Sequence, residues 1–368
     1  MVCFTFAHKD KFILNFQQTV MDQKQRISAF VKLGSFFNNF LDWKSQKQNI
    51  DLDQEKFNEF NQCMRLASVH NAWFTEDHLE FALKQWSKAL TETNIKKWLS
   101  HYNTHIKNPK TIAIIMAGNI PLVGFHDFLC VLLTGHFVLV KQSSNDEKLL
   151  PFIARFLKNI CPHFKITFTK DQIKGFDAVI ATGSNNTSRY FEYYFKNKPS
   201  ILRRNRNSVA VLTGEETIDE LKLLSEDIFR YYGLGCRNVS KLFVPVGYNF
   251  DLFFNAVYEW KDIIYDHKYA NNYDYNKAVY LMSEFDILDN GFLMLKEDKK
   301  LSSPIATLFY ETYQSKDELN EKLDSLSNQI QSMVGKAANQ KVPFGQTQHP
   351  KLWDYADNID TVEFLLTI

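Results

Sequence analysis

The stretch TIAIIMAGNIPLVGFHDFLCVLLTGHFVLVK, Thr111 to Lys141, decides the fold. An apolar run over 111–116 reaches a turn holding Gly118, Asn119 and Pro121. A helix is expected over 122–134, and a second apolar run, FVLVK, follows at 137–141. Short, β-prone runs without polar alternation suit strands covered on both faces, and a helix between two of them is the parallel crossover. The same texture continues: helix 146–160, strand 165–168, strand 176–181, helix 184–196 and strand 208–213. Strand and helix in alternation predict an α/β fold with a doubly wound, Rossmann-like parallel sheet.

Upstream, Asp22 to Tyr102 reads as helical. Ile27, Phe30, Val31, Phe37 and Phe40 recur at three-to-four spacing, and Trp73, Phe81, Trp86 and Trp98 extend a stripe read as helix-packing core. Downstream, a helix from Ile218 to Tyr232 is stopped by Gly233. LFVPV, KAVYLM, PIATLFYE and DTVEFLLTI then read as strands, separated by helices over 250–260 and 316–333. A border near Asn205 to Ser208 divides a helical and cofactor-binding part (21–206) from a catalytic domain (207–350). Residues 351–368 form a tail whose last nine residues read as a β-strand able to extend a second subunit's sheet, giving a possible homodimer. Residues 1–20 read as a possible extension ahead of a natural start at Met21.

Composition narrows the function. The chain has 368 residues, more than one core usually holds. Lys+Arg of 43 against Asp+Glu of 42 gives a formal net charge of +1, so no basic excess points to nucleic acid or an anionic membrane. No run is long and apolar enough to span a bilayer. The cysteines, Cys3, Cys63, Cys130, Cys161 and Cys236, are odd in number and lack metal or CxxC spacing. That pattern predicts a reducing, cytoplasmic setting with neither disulfides nor a metal site.

Two motifs carry chemistry. In GLGCRNVSKLFVP, Cys236 sits in a glycine-flanked turn ahead of an apolar strand, with Arg237 beside it to favour thiolate. In TIAIIMAGNIP, the Asn119 amide is placed to donate to an oxyanion formed when that thiol attacks a carbonyl. Either element alone has a bland reading, a buried thiol or a turn asparagine, and it is the pair that points to nucleophilic catalysis. FDAVIATGS ends in Gly183 and Ser184 at a helix start. These read either as a pyrophosphate seat or as an ordinary serine N-cap. Lys141 ends FVLVK and is followed by Gln142, Ser143 and Ser144. It meets a ribose or its 2′-phosphate, or is simply a solvated lysine. LRRNRN, with Arg203, Arg204 and Arg206, is open between phosphate binding and a surface cluster. His126 and Asp127 read as a polar pair on a helix face.

With AGNIP and its helix, TGHFVLVKQSS, FDAVIATGSNNTSRYFEYYF, RRNRNSVAVLTGEE, GLGCRNVSKLFVP and VPFGQTQHPKLWDYADNIDTVEFL in this order, the chain resembles the aldehyde dehydrogenase superfamily. Within it, the chain looks like the acyl-CoA reductases typified by the LuxC-type fatty acid reductases of bacterial bioluminescence. The resemblance implies Cys236 as nucleophile, Asn119 as oxyanion donor, Lys141 and Ser143 beside the cofactor ribose, and Gly183 and Ser184 near the pyrophosphate. It further implies NADPH (NADH being possible), an acyl-CoA or other acyl thioester as substrate, and a possible acyl-donor protein partner. Relatives that hydrolyse their acyl-enzyme carry a Glu-Leu-Gly-Gly strand, and the equivalent ILRRN here, Ile201 to Asn205, has no carboxylate. A thiol such as CoA is then the expected acyl exchange partner rather than water. LSSP, Leu301 to Pro304, replaces residues that many relatives set against the nicotinamide ribose. The alternatives are an acyl-phosphate reductase using the same cysteine, an inactive nucleotide-binding relative, and, least favoured, a cysteine hydrolase.

Overall fold

The computed structural model describes residues 22–45, 53–104, 106–336 and 342–368, without the Asn185 side chain. The possible extension at 1–20 lies outside them. Four helices come first: α1 (Gln23–Lys44), α2 (Gln54–His70), α3 (Glu76–Ala89) and α4 (Glu92–Leu99). Asp22, Thr75 and Thr91 start α1, α3 and α4 by accepting a first-turn N–H, which satisfies donors the helix itself leaves unpaired. Phe30, Phe37, Phe40 and Trp98 of the stripe are buried core, as are Phe57 and Phe60 of α2, whereas Trp73, Phe81 and Trp86 are only half-buried and Trp86 lines a cleft instead. Each fully buried ring of this kind contributes about 1.5–3 kcal/mol.

The alternating segment follows as β1 (Thr111–Ile115), α5 (Phe125–Thr134), β2 (Phe137–Lys141), α6 (Leu149–Ile160), β3 (Ile166–Phe168), β4 (Ala178–Thr182), α7 (Asn185–Phe195) and β5 (Ser200–Arg203). The strands form one parallel sheet in the order β3-β2-β1-β4-β5. β1 shows why a fully apolar strand is needed. Ile112 and Ile114 join the core under the helical layer, while Ala113 packs on the other face with Val179, Ala181, Phe191 and Phe195. The buried Arg26 of α1 fastens that layer down. Its Nε donates to the Leu133 carbonyl at 2.9 Å, at the end of α5.

After Arg204–Arg206 the chain enters a second sheet. Its elements are β6 (Asn207–Val211), α8 (Ile218–Phe229), β7 (Val239–Pro245), α9 (Asp251–Val257), α10 (His267–Met282), β8 (Ile287–Asp289), β9 (Met294–Glu297), β10 (Thr307–Tyr313), α11 (Lys316–Ser325) and β11 (Ile330–Val334). The order is β11-β6-β7-β10-β9-β8, parallel except for the β8–β9 pair.

Three expectations are corrected. KAVYLM lies inside α10, where Asp266 caps the start and Tyr269, Tyr273 and Tyr280 recur on one buried face. The helix expected over 316–333 stops at Ser325, because Ile330–Val334 must pair with β6. The final segment is not a strand but α12 (Thr361–Thr367). Asp360 accepts the Glu363 N–H at 2.9 Å, and Val362 with Leu365, three apart, are buried against α5. Seven residues fit a helical spacing as well as an alternating one, and the cap decides. The route to a homodimer through a terminal strand therefore falls away. The tail instead returns to the first sheet's core, with Tyr355 accepting from Trp98 Nε1 at 2.8 Å. Among the described residues no helix is long and apolar enough to cross a membrane.

Candidate active site

At the first sheet, β1 has β2 on one side and β4 on the other, so the loops leaving β1 and β4 part and open a crevice at the strand ends. The turn ahead of β7 in the second sheet meets that opening. The result is a cleft of about 830 Å³, within the range that holds cofactors and small substrates. Asn119, Gly183, Ser184 and Cys236 all line it, although they come from three separate loops.

The cysteine turn is held from beneath. Asn238, only 2 % exposed, accepts the Gly235 N–H at 2.8 Å and donates to the carbonyls of Arg230 at 2.7 Å and Asp227 at 3.1 Å. A side chain on Gly235 would come within 2.9 Å of Asn238 Oδ1, so glycine is required there. Ser208 Oγ donates to the Cys236 carbonyl at 3.0 Å. Ahead of the turn, Tyr231, Tyr232 and Gly233 are consecutively left-handed, at φ 55°, 56° and 74°. His78 of α3 steadies them: its Nε2 accepts the Tyr231 N–H at 3.2 Å. Burial holds His78 below its ordinary value, which keeps that nitrogen an acceptor.

Asn119 connects the two halves. Its Nδ2 donates to the Leu234 carbonyl at 2.7 Å, tying the turn after β1 to the turn bearing Cys236. Behind it, the Leu122 N–H donates to Asp146 at 2.9 Å, and burial pushes that carboxyl up to about 6. A Cβ on Gly118 would meet Ser143 Oγ at 2.7 Å.

The Cys236 thiol behaves differently from the expectation. The residue is open to solvent in the cleft. Protein nevertheless crowds the thiol, and burial raises its pKa above the ordinary thiol value. Arg237 acts in the opposite direction and is outweighed, with Asp357 adding to the rise and Arg203 opposing it. The Arg237 guanidinium is also engaged elsewhere, donating to the Asp354 carbonyl at 2.7 Å and to Ser332 Oγ at 3.4 Å.

Of the cofactor candidates, Ser184 caps α7 by accepting the Thr187 N–H at 3.3 Å, and it lines the cleft as well. At Gly183 a Cβ would come within 3.0 Å of Thr187 and Phe191, so the bare backbone lets the α7 N-terminus approach a ligand. This setting fits a dinucleotide: a switch-point crevice, a side-chain-free turn and a helix start. Lys141 and Ser143 stand apart from the cleft lining. Lys141 Nζ donates to the Asp171 carbonyl at 3.0 Å beside a smaller groove, and Ser143 Oγ accepts the Asn145 N–H at 3.2 Å. LRRNRN resolves residue by residue. Arg203 is buried and donates to Asp127 at 2.7 Å and to Thr361 at 2.9 Å, Arg204 pairs with Glu192 on the surface, and Arg206 lies 3.3 Å from Asp357. His126 Nε2 sits 2.8 Å from the Leu352 carbonyl, so His126 and Asp127 are both engaged structurally. Ser302, Ser303 and Pro304 of LSSP do line the cleft. The tail residues Asp354 and Asp357 were missed from sequence, because only the fold returns them to Cys236.

This architecture is that of an aldehyde dehydrogenase-like protein. Aldehyde dehydrogenase 21 from Physcomitrella patens, in complex with succinate, superposes with a TM-score of 0.62 at 11% identity, covering 94% of this chain and 84% of that one. The NAD+ complex of the Bacillus cereus aldehyde dehydrogenase gives 0.59 at 13% identity, over 87% and 72%. The sequence profile of the acyl-CoA reductase (LuxC) family matches residues 36–252, and the chain belongs to that family. A curated relative, the long-chain acyl-protein thioester reductase of Aliivibrio fischeri, is 24% identical over 236 residues. That match spans 56% of this chain and about half, 47%, of the relative.

Proposed function

We propose that this protein is an oxidoreductase that reduces an acyl thioester to an aldehyde through a thioester on Cys236. The observation that carries the reading is the Asn119–Leu234 hydrogen bond at 2.7 Å, which places an amide donor and a cysteine nucleophile in one cleft. An asparagine amide has two N–H groups. One is spent on Leu234, and the second serves the oxyanion formed when Cys236 attacks, together with the Cys236 backbone N–H. Ala82, Trp86 and Ala89 of α3, with Leu122, Val123 and Leu352, give the cleft an apolar wall suited to a fatty acyl chain.

The substrate in this reading is an acyl-CoA, or an acyl group brought by a donor protein. A reduced nicotinamide dinucleotide, its pyrophosphate held by Gly183 and the α7 start, would supply the hydride that converts the Cys236 thioester to aldehyde. NADPH is the preferred form, with Lys141 at the end of β2 meeting the 2′-phosphate. The stretch Ile201 to Asn205, which includes the end of strand β5, has no carboxylate where hydrolytic relatives carry glutamate, and this favours a thiol over water as exchange partner. The test is NADPH oxidation across acyl-CoA chain lengths with CoA thiol release followed in parallel. Equal amounts of thiol and aldehyde are expected. Turnover with acyl phosphates but not thioesters would move the reading to that class, and no turnover with either would leave a nucleotide-binding protein.

A further inference from the structure

The C-terminal tail brings to this cleft the carboxylate that β5 lacks. Asp357 lines the cleft together with Cys236, its side chain 8% exposed, and Arg206 Nε lies 3.3 Å from its Oδ1. The surrounding backbone is fixed from three directions. Gln331 accepts the Asp357 N–H at 2.9 Å, Arg203 Nη1 donates to the Ala356 carbonyl at 2.6 Å, and Arg237 Nη2 donates to the Asp354 carbonyl at 2.7 Å. Asp357 and Asn358 are both left-handed, at φ 59° and 57°. Asp and Asn are the non-glycine residues that adopt this region most readily, so the sequence and the neighbouring contacts agree here. Arg206 thus pairs with the Asp357 carboxylate while Arg203 and Arg237 anchor the backbone just ahead of it.

The charged groups facing Asp357 are Arg203 of β5, Arg206 after it and Asp127 of α5. Those acting on Cys236 are Arg237, Asp357 and Arg203. Burial raises the Asp357 carboxyl, which makes its anion a stronger base, and it raises the thiol, which leaves a proton to be removed before attack.

Resting on the thioester reading above, we propose that Asp357 accepts the Cys236 proton during acylation and returns it to the departing thiolate, directly or through one water. As the Sγ–H bond breaks, its proton passes to an Asp357 oxygen. The sulfur electron pair forms the S–C bond and the carbonyl π pair moves to the oxyanion beside Asn119. Collapse of that intermediate breaks the C–S bond to the leaving thiolate, which takes the proton from Asp357 and restores the carboxylate.

Two reactions of the full chain separate this from a structural role. Iodoacetamide alkylation reads the Cys236 thiolate population, and its iodide leaving group needs no proton. In Asp357→Asn, which retains a residue at ease in left-handed backbone, loss of the negative charge lowers the thiol pKa. Alkylation near neutral pH then rises, by up to ~10-fold per pH unit of that fall. Acylation by an alkyl thioester falls by ~10²-fold, the lower end of general acid–base contributions. An aryl thioester, whose thiolate leaves unprotonated, recovers most of that loss, and Asp357→Glu recovers part of it with the alkyl substrate. Alkylation and acylation rising together, both falling together, or equal losses with alkyl and aryl thioesters would each overturn the proposal. If Asp357→Asn fails to fold, equal losses with alkyl and aryl thioesters in a folded Asp357→Glu do so. Failure of the wild-type chain to be acylated by any thioester sinks the function reading instead, and unchanged alkylation in Asp357→Asn would then sink this one separately.

Discussion

Replacing Asn238 by alanine tests whether the cysteine turn is held as the geometry indicates. The side chain is 2 % exposed and serves Gly235 N–H, Arg230 C=O and Asp227 C=O at 2.8, 2.7 and 3.1 Å, with Ile228 C=O further off at 3.4 Å. Truncation leaves the buried Gly235 donor and the Arg230 acceptor unpaired, each costing about 1–3 kcal/mol. The expected loss is therefore ~2–6 kcal/mol, a large share of a typical domain's 5–15 kcal/mol. Urea unfolding reads it as a lower midpoint at unchanged slope. Asn238→Asp is the control. It keeps the acceptor for Gly235 but sets a carboxylate against three carbonyls, so its folded-state pKa is raised. Its stability is fully present below the ordinary carboxylate value and is lost as pH rises through the raised one. A loss under ~1 kcal/mol for alanine, or an aspartate variant as stable at pH ~8 as at pH ~5, would refute the clamp.

Asn119→Ala should lower kcat by ~10²–10³ while the unfolding midpoint moves little, and a change below tenfold in steady-state assays would remove the oxyanion role. Lys141→Ala should raise the KM for NADPH more than that for NADH, and equal shifts would show that its amine never leaves the Asp171 carbonyl. Burial depresses His78, so its neutral form is favoured in the fold and the stability it contributes is present above its ordinary value near 6.5. That contribution is lost as pH falls through the lowered folded value, loosening the Tyr231 turn. Thermal unfolding between pH ~7 and ~5 should show a shallower decline in His78→Gln than in the parent, and parallel profiles would refute it.

The class of the fold was written in the chain because its strands are locally unambiguous. TIAII, FVLVK and AVIAT are short, apolar runs of the kind a covered parallel sheet accommodates, and the helices between them begin and end at visible turns. Asn119, Gly183 and Cys236 were legible for a related reason: each sits in a turn at a strand boundary, where a backbone constraint marks the position. What tertiary structure decided is whatever depends on contacts distant in sequence. The last residues carry spacing compatible with strand or helix, and Asp360 with the α5 surface settles them as helix. Arg237 adjoins Cys236 in the chain and looks like its counter-charge, yet Asp354 and Ser332 take its guanidinium and burial governs the thiol. Asp357 had no local signature at all. Its place in the cleft with Cys236 is fixed by contacts from Arg203, Arg206 and Arg237, since electrostatic environment is set by neighbours in space and not by neighbours along the chain.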